Sequence, residues 1–199
     1  MEKNNFYAML SRMKYINRWG LMRNTISENI AEHSLDTAII AHGLATISNI
    51  YFGGHVDAER VAVLAMFHDT TEIITGDLPT PIKYFAPEIK NAYKNVEAAA
   101  GKQLLSAMPK EMRYSYESIL LPDSEEKELW KFVKAADKIS AYIKCVEEKR
   151  MGNTDFEQAE EATLKAVKEM NMKEADYFLE NFMPAYSLTL DEQSGVKNK

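Results

Sequence analysis

The sequence has a single cysteine, Cys145, among its 199 residues. No intrachain disulfide can form, which is typical of proteins from reducing compartments. No apolar run approaches the roughly 18 residues that would span a bilayer, and the first residues lack the apolar core of a signal peptide. These absences argue against a disulfide scaffold and a membrane protein. They predict a cytoplasmic globular protein in which Cys145 is a small core residue.

The sequence also lacks a concentration of positive charge. The net charge is −6 at pH 7, and lysine and arginine form no dense block. A protein that binds a nucleic-acid backbone normally presents a basic patch, so we predict that nucleic acid is not a partner. A small anionic substrate, held by one local arginine and a metal, is compatible with this acidic balance.

The remaining composition is ordinary for a soluble protein, with 46% hydrophobic and 27% charged residues. Apolar residues recur at helical spacing along most of the chain, with no convincing run of alternating strands, no repeat and no linker. We therefore predict an all-α fold of about seven or more helices in one domain over residues 1–190, followed by a polar, frayed tail over residues 191–199. Ser27 and Glu28 are predicted to open one long helix, and Pro122-Asp123-Ser124 to break the chain before another.

One predicted helix has an apolar face whose last residue is a histidine. The face consists of Val61, Leu64, Ala65 and His68. Asp69 follows directly, and Glu72 lies about one turn further on. Burying unpaired polar groups costs on the order of 2–7 kcal/mol each, and a bound cation would satisfy them. Alone this is a weak signal, because a histidine on an apolar face is more often a hydrogen-bonded core residue.

Two further helical stripes carry groups of the same kind. His33 occupies an inward position, and Asp137 lies at the edge of an apolar stripe. Asp137 could bind a metal or, alternatively, form a salt bridge with a surface lysine. The combined set His33, His68, Asp69 and Asp137 offers two nitrogens and two carboxylates. Such a set suits a first-row divalent metal with water in the open positions.

Two other segments suit a phosphorylated ligand. Arg18 can donate two hydrogen bonds to an anion, and Trp19 has a large, flat, apolar surface. The simpler interpretation is a half-buried tryptophan beside a surface arginine. Gly76 and two prolines then forbid a regular helix over residues 76–81 and predict a stiff loop. Asp77 and Thr80 in this loop either contact a substrate or form an Asp-capped turn.

At these positions the sequence resembles the HD-domain phosphohydrolases, and in particular the bacterial HD-domain 5′-deoxynucleotidases. The matching motifs are Ile16-Asn17-Arg18-Trp19, Glu32-His33-Ser34, Phe67-His68-Asp69, Glu72, Thr75-Gly76-Asp77-Leu78-Pro79-Thr80-Pro81, Ala135-Ala136-Asp137 and Leu188-Thr189-Leu190-Asp191-Glu192. The resemblance implies an HD-domain helical bundle, a homodimer, and release of phosphate from deoxyribonucleoside 5′-monophosphates with selection against ribonucleotides.

The resemblance also implies roles for individual residues. His33, His68, Asp69 and Asp137 would hold the metal, which can polarise a phosphoryl oxygen and lower the pKa of water. Glu72 would act as general acid or base, Asp77 would orient water, and Arg18 would stabilise the phosphate charge; the sequence does not separate the roles of Glu72 and Asp77. The predicted substrate contacts are Arg18, Trp19, His33, Asp69, Asp77, Leu78, Pro79, Thr80 and Asp137, with Trp19 against the sugar.

The sequence has no histidine between Asp69 and Asp137. Two-metal HD phosphodiesterases need additional histidine ligands in that interval, so we predict one metal per protomer. Co²⁺ or Mn²⁺ is preferred, with Zn²⁺, Fe²⁺ and Cu²⁺ as alternatives, because sites of this kind accept several ions.

Two other functions are compatible with the same signature. A deoxynucleoside triphosphate triphosphohydrolase also uses an HD site, but it would need more basic residues than Arg18 for three phosphates. A non-catalytic, nucleotide-sensing HD module typically loses metal ligands, whereas all four are present in this sequence together with Glu72.

Overall fold

The computed structural model describes residues 4–83, 85–121 and 126–195. Its α-helices are α1 (Phe6–Leu10), α2 (Ile30–Tyr51), α3 (Ala58–Phe67), α4 (Glu72–Thr75), α5 (Thr80–Lys83), α6 (Pro87–Ser106), α7 (Lys110–Leu120), α8 (Lys127–Arg150), α9 (Glu157–Lys168), α10 (Lys173–Asn181) and α11 (Leu190–Ser194). Short 3-10 segments cover Ser11–Tyr15, Thr154–Phe156 and Met183–Ser187. Over these ranges the only extended pairing is an isolated antiparallel bridge between Asn17 and Asn29. The predicted all-α fold is confirmed.

The main core lies where α2 packs against α3 and α8, and α8 packs in turn against α9. Its fully buried side chains include Leu44, Leu64, Ala136 and Ile139, each from the apolar stripe of its helix. Cys145 is also buried, and burial raises the pKa of its thiol to about 11, which confirms it as a core residue. None of the described helices is long and apolar enough to cross a membrane.

The start of α2 differs from the prediction. Its N-cap is Asn29, whose side chain accepts hydrogen bonds from the backbone N–H groups of Ala31 and Glu32, while the Glu32 carboxylate closes the capping box. This reciprocal cap satisfies the N–H groups of Asn29, Ala31 and Glu32, which a helix cannot pair internally. Ser27 and Glu28 therefore precede the helix, and Glu28 is free to make a tertiary contact.

The C-terminal end also differs from the prediction. The tail expected to fray from Asp191 begins instead as α11, which Thr189 and Glu192 close with a second capping box. The domain limits of 1–190 and 191–199 stay a prediction. The predicted break at Pro122-Asp123-Ser124 and the end of the tail at residues 196–199 lie outside the described residues.

A buried ion pair near the end of α8 ties down the segment that precedes α2. Glu148 is 0% exposed and pairs with Lys144. Its carboxylate also accepts hydrogen bonds from the backbone N–H of Thr25 (2.9 Å) and Ile26 (3.2 Å) and from Asn153 Nδ2 (2.7 Å). Burial acts to raise the pKa of Glu148, but these partners outweigh it and lower that pKa to about 2.

This pair predicts acid-dependent stability. A carboxyl group with a lowered folded-state pKa contributes stability above its ordinary pKa of 4.5 and loses it as the pH falls toward 2. We expect Glu148→Gln to lower Tm by about 5–10 °C at pH 7, with the difference from the unsubstituted protein shrinking between pH 5 and pH 2. Thermal unfolding followed by circular dichroism across this range measures both quantities.

The matched control is the exposed pair that Lys165 and Glu169 form at the same helical spacing, with 3.7 Å between Nζ and Oε1. Exposed pairs contribute little to stability, so Glu169→Gln should leave Tm nearly unchanged at every pH. A constant Tm difference between Glu148→Gln and the unsubstituted protein from pH 7 to pH 2 would contradict the linkage.

Candidate metal centre and nucleotide site

The site is built around the abrupt end of α3. Asp57 caps the start of this helix by accepting from Arg60 N (2.8 Å). At the other end the helix stops at Phe67, so His68 is its C-cap and Asp69 lies in the following turn rather than on the helix. His68 Nδ1 donates to the carbonyl of Ala65 (2.7 Å), which fixes the ring and leaves Nε2 directed at neighbouring carboxylates.

The structure brings the predicted ligands together from α2, the end of α3 and α8. One donor atom each from His33, His68 and Asp69 lies within 4.8 Å of the others. Asp69 Oδ2 is 3.5 Å from His33 Nε2 and 3.2 Å from His68 Nε2. Asp137 stands beside this compact group, with Oδ1 at 3.2 Å from His33 Nε2 and 4.0 Å from His68 Nε2.

The donor set fits a divalent cation. His68 Nε2 is buried and makes no hydrogen bond within the described part of the chain. The outer nitrogen of His33, Nδ1, lies 3.1 Å from Ser140 Oγ, a contact that orients the ring with Nε2 toward the carboxylates. Two imidazole nitrogens and two carboxylates around one point are typical of first-row transition-metal sites.

Strong electrostatic coupling accompanies this geometry. Burial would lower the pKa of His68, but the carboxylate of Asp69 outweighs it, and the pKa rises to about 9. For Asp69 and Asp137, burial acts to raise the pKa, and the histidines hold it below the ordinary value. The His68 imidazole therefore depends on a carboxylate for charge balance, and the carboxylates would likewise be balanced by a bound cation.

Glu72 is the first residue of α4 and is only 7% exposed. Its Oε2 is buried and has no hydrogen-bond partner among the described residues. Burial, followed by the charges of Asp69 and Asp77, raises the pKa of Glu72 to about 9. A carboxyl group held in this way can exchange a proton with a substrate bound next to the ligands.

Asp77 follows a turn that depends on glycine. Gly76 has φ of 71°, a left-handed value that other residues rarely adopt, and its carbonyl accepts from Tyr93 Oη of α6 (3.1 Å). Burial raises the pKa of Asp77, while Arg18 acts in the opposite direction. The loop therefore holds its carboxylate within the electrostatic reach of the cluster.

The other predicted loop residues lie next to Asp77. Leu78 and Pro79 are half-buried, whereas Thr80 is exposed at the start of α5. The carbonyl of Pro79 accepts from Ile82 N (2.8 Å) and Lys83 N (3.0 Å), so the predicted loop ends at Pro79, and the prediction that it runs to Pro81 is wrong. The role of these three residues toward a substrate stays a prediction.

Arg18 and Trp19 reach the site through the Asn17–Asn29 bridge. This pairing places Arg18 beside Glu28, whose carbonyl accepts from Arg18 N (2.9 Å). Arg18 Nη1 donates to Glu28 Oε2 (2.7 Å), and Trp19 Nε1 donates to the same oxygen (3.0 Å). Arg18 Nη2 is 3.9 Å from Asp137 Oδ1, so the guanidinium borders the candidate metal centre.

Comparisons with known proteins show the family of the chain. A model of the family described as 5′-deoxynucleotidase YfbR-like matches residues 5–186.

The chain belongs to the YfbR-like 5′-deoxynucleotidase family.

Relatives within this family are similar over nearly their whole length. A 5′-deoxynucleotidase of Vibrio cholerae is 49% identical over 194 residues, which cover 98% of this chain and 100% of the relative. A 5′-deoxynucleotidase of Shigella boydii is 47% identical over 197 residues, 98% of each chain.

Solved structures show the same fold. An HD-domain phosphohydrolase of Listeria innocua superposes with a TM-score of 0.81 at 24% identity, over 94% of this chain and 90% of that one. The cyanophage S-2L HD phosphohydrolase DatZ, bound to dA and one catalytic Zn²⁺, gives a TM-score of 0.65 at 20% identity over 92% and 96% of the two chains. The predicted HD-domain helical bundle is confirmed.

Proposed function

We propose that this protein is a metal-dependent 5′-deoxynucleotidase that hydrolyses deoxyribonucleoside 5′-monophosphates to deoxynucleosides and phosphate. The observation that carries the proposal is the convergence of His33, His68, Asp69 and Asp137, with Arg18 at its edge. The family relatives named 5′-deoxynucleotidase support the substrate class.

The four ligands would hold one first-row divalent ion per protomer, which supplies Lewis-acid polarisation of a phosphoryl oxygen when bound. We propose Co²⁺ or Mn²⁺ as the preferred ions. The Zn²⁺ in DatZ supports a single divalent metal in this fold, and Zn²⁺, Fe²⁺ and Cu²⁺ are the alternatives for this chain. Two metals per protomer at full occupancy would contradict this part of the proposal.

The chain's own residues supply the remaining chemistry. Arg18 presents guanidinium N–H groups to the phosphate and stabilises charge that develops on its oxygens. Glu72 is the proton-transfer group, because its carboxyl is buried next to the ligands and no described residue forms a hydrogen bond with its Oε2. Asp77 orients the attacking water, while Leu78, Pro79 and Thr80 line the path of the nucleotide.

Trp19 would select the sugar. A bulky indole against the deoxyribose leaves a 2′-hydroxyl without space and without a hydrogen-bond partner. We expect Trp19→Ala to reduce the ratio of kcat/KM for 5′-dAMP over 5′-AMP by about tenfold or more. The control is Trp130→Phe, a change to the second tryptophan, at the start of α8, which should leave the ratio unchanged.

The deciding experiment measures phosphate release from 5′-dAMP and 5′-AMP after chelation and readdition of Co²⁺, Mn²⁺, Mg²⁺ or Zn²⁺. Metal-restored release from the deoxynucleotide, with little from the ribonucleotide, is the expected result. Release of tripolyphosphate from dGTP, without phosphate from either monophosphate, would instead establish a triphosphohydrolase. No turnover under any metal would favour a nucleotide-sensing module.

We also propose that the enzyme acts in the cytoplasm as a homodimer and does not act on nucleic acid. Leu35 and Ile39 lie one turn apart on α2 and are 54% and 62% exposed. Adjacent exposed apolar side chains of this size are typical of a surface that binds another protein. Sedimentation velocity at micromolar protein is expected to give twice the 22.7 kDa chain mass. A 22.7 kDa species at all concentrations would contradict the dimer.

A further inference from the structure

Glu28 is a largely buried acid at the edge of the site that the proposed chemistry does not use. Its side chain is 13% exposed, as is that of Arg18. One oxygen, Oε2, accepts from both Arg18 Nη1 (2.7 Å) and Trp19 Nε1 (3.0 Å). Resting on the proposed function, we propose that Glu28 is a positioning residue that fixes the phosphate-binding and sugar-selecting side chains in one geometry.

For Arg18, Glu28 occupies one edge of the guanidinium and leaves other donors for the substrate. Arginine has five N–H donors in a rigid plane, so fixing Nη1 also fixes the direction of the rest. Nη2 of the same group is 3.9 Å from Asp137 Oδ1, which places it on the side of the candidate metal centre. The pair therefore sets where Arg18 can meet a phosphate oxygen.

For Trp19, Glu28 supplies one of two constraints on the indole. The backbone of this residue has φ of 58°, a strained left-handed conformation for a side chain of this size. The indole N–H bonds to Glu28, and the ring packs against Phe156 with centroids 5.4 Å apart. A hydrogen bond at the edge and a ring contact together fix the plane that would lie against the sugar.

The support for Glu28 is itself rigid. Its carbonyl accepts from Arg18 N, and Ile30 N donates to Ile16 O (2.9 Å), so two backbone bonds flank the bridge. On the other side of the loop, Glu148 of α8 holds the backbone of Thr25 and Ile26. The carboxylate of Glu28 is thus preorganised before substrate arrives, which is the condition for precise orientation.

Two substitutions separate the contributions of Glu28. Glu28→Gln keeps an acceptor oxygen for Trp19 Nε1 but removes the charge that pairs with Arg18. Glu28→Ala removes both. We expect the glutamine variant to raise KM for 5′-dAMP while keeping the deoxy preference, and the alanine variant to lower kcat/KM about 10- to 100-fold and also lose much of the preference.

The first readout needs no metal and no turnover. The chain has two tryptophans, so ¹⁵N-labelled protein gives two indole N–H signals, which Trp130→Phe assigns. Glu28→Ala is expected to move the Trp19 signal upfield, because that N–H loses its acceptor, and Glu28→Gln is expected to leave it near its original position. Kinetics on 5′-dAMP and 5′-AMP form the second readout.

Arg23→Ala is the matched control from the same loop, since the Arg23 side chain is 91% exposed. It should match the unsubstituted protein in both readouts. An unmoved Trp19 signal in Glu28→Ala, or equal loss of activity on both nucleotides, would overturn the proposal and leave Glu28 a structural residue.

Two further outcomes are distinguishable. If the unsubstituted protein releases no phosphate, the proposed function fails, and the indole signal alone still decides whether Glu28 holds Trp19. If Glu28→Ala does not fold, Glu28→Asp replaces it, because a carboxylate shorter by one methylene cannot reach both donors. A wild-type indole signal and wild-type deoxy preference in Glu28→Asp would then overturn the proposal.

Discussion

Replacing Asp69 with alanine is expected to lower phosphate release from 5′-dAMP by about 10³-fold or more, because Lewis-acid stabilisation of several kcal/mol would be lost. Asp69 Oδ2 lies within 3.5 Å of Nε2 on both histidines, whereas Asp137 Oδ1 lies 4.0 Å from His68 Nε2. The variant should also fail to retain metal after dialysis. Elemental analysis and the phosphate assay measure the two losses on the same sample.

Asp176→Ala is the control for this prediction, since Asp176 is an exposed acid in the first turn of α10. It should keep both metal and activity. Full activity in Asp69→Ala after removal of metal would contradict the assignment of the cluster as the metal centre.

Glu72→Gln is expected to reduce kcat by about 10²- to 10⁴-fold while metal content and KM stay near their original values. The amide keeps the size of the buried side chain and removes its ability to exchange a proton. Single-turnover measurements with saturating 5′-dAMP isolate the chemical step. Asp77→Asn, measured beside it, separates proton transfer from orientation of water.

The matched control is Glu59→Gln, which alters an exposed acid in the first turn of α3. It should leave kcat unchanged. If Glu72→Gln instead lost metal together with activity, Glu72 would belong to the ligand set and its role in proton transfer would be wrong.

Much of the site follows from local spacing. Helical periodicity predicts the inward direction of His33 and His68, and the side chains of both are buried, at 0% and 9% exposure. The turn that follows His68 could not be predicted from spacing. Periodicity extends α3 through Asp69, whereas Thr70 Oγ1 donates to the carbonyl of Phe67 (2.8 Å) and helps to close the helix early.

Glu28 shows why other parts of the site could not be predicted. Ser27, Glu28 and Asn29 are adjacent, and serine and asparagine are equally good N-caps, so local preference does not choose between them. The choice depends on the capping box with Glu32 and on a bridge to Asn17 that is remote in sequence. Once Asn29 is the cap, Glu28 faces Arg18 rather than the helix dipole.

The left-handed backbone of Trp19 restricts how the sugar preference that we propose for this residue can be redesigned. At φ of 58° a β-branched residue meets a steric penalty, whereas glycine, asparagine and aspartate tolerate the conformation. Saturation libraries at this codon will therefore be enriched in those small or polar residues for reasons of folding, whatever substrate is used for selection. A β-branched replacement that reshapes the site would need a second change that relaxes the turn at Gly20 to Met22, where Met22 N donates to the carbonyl of Trp19 (2.8 Å).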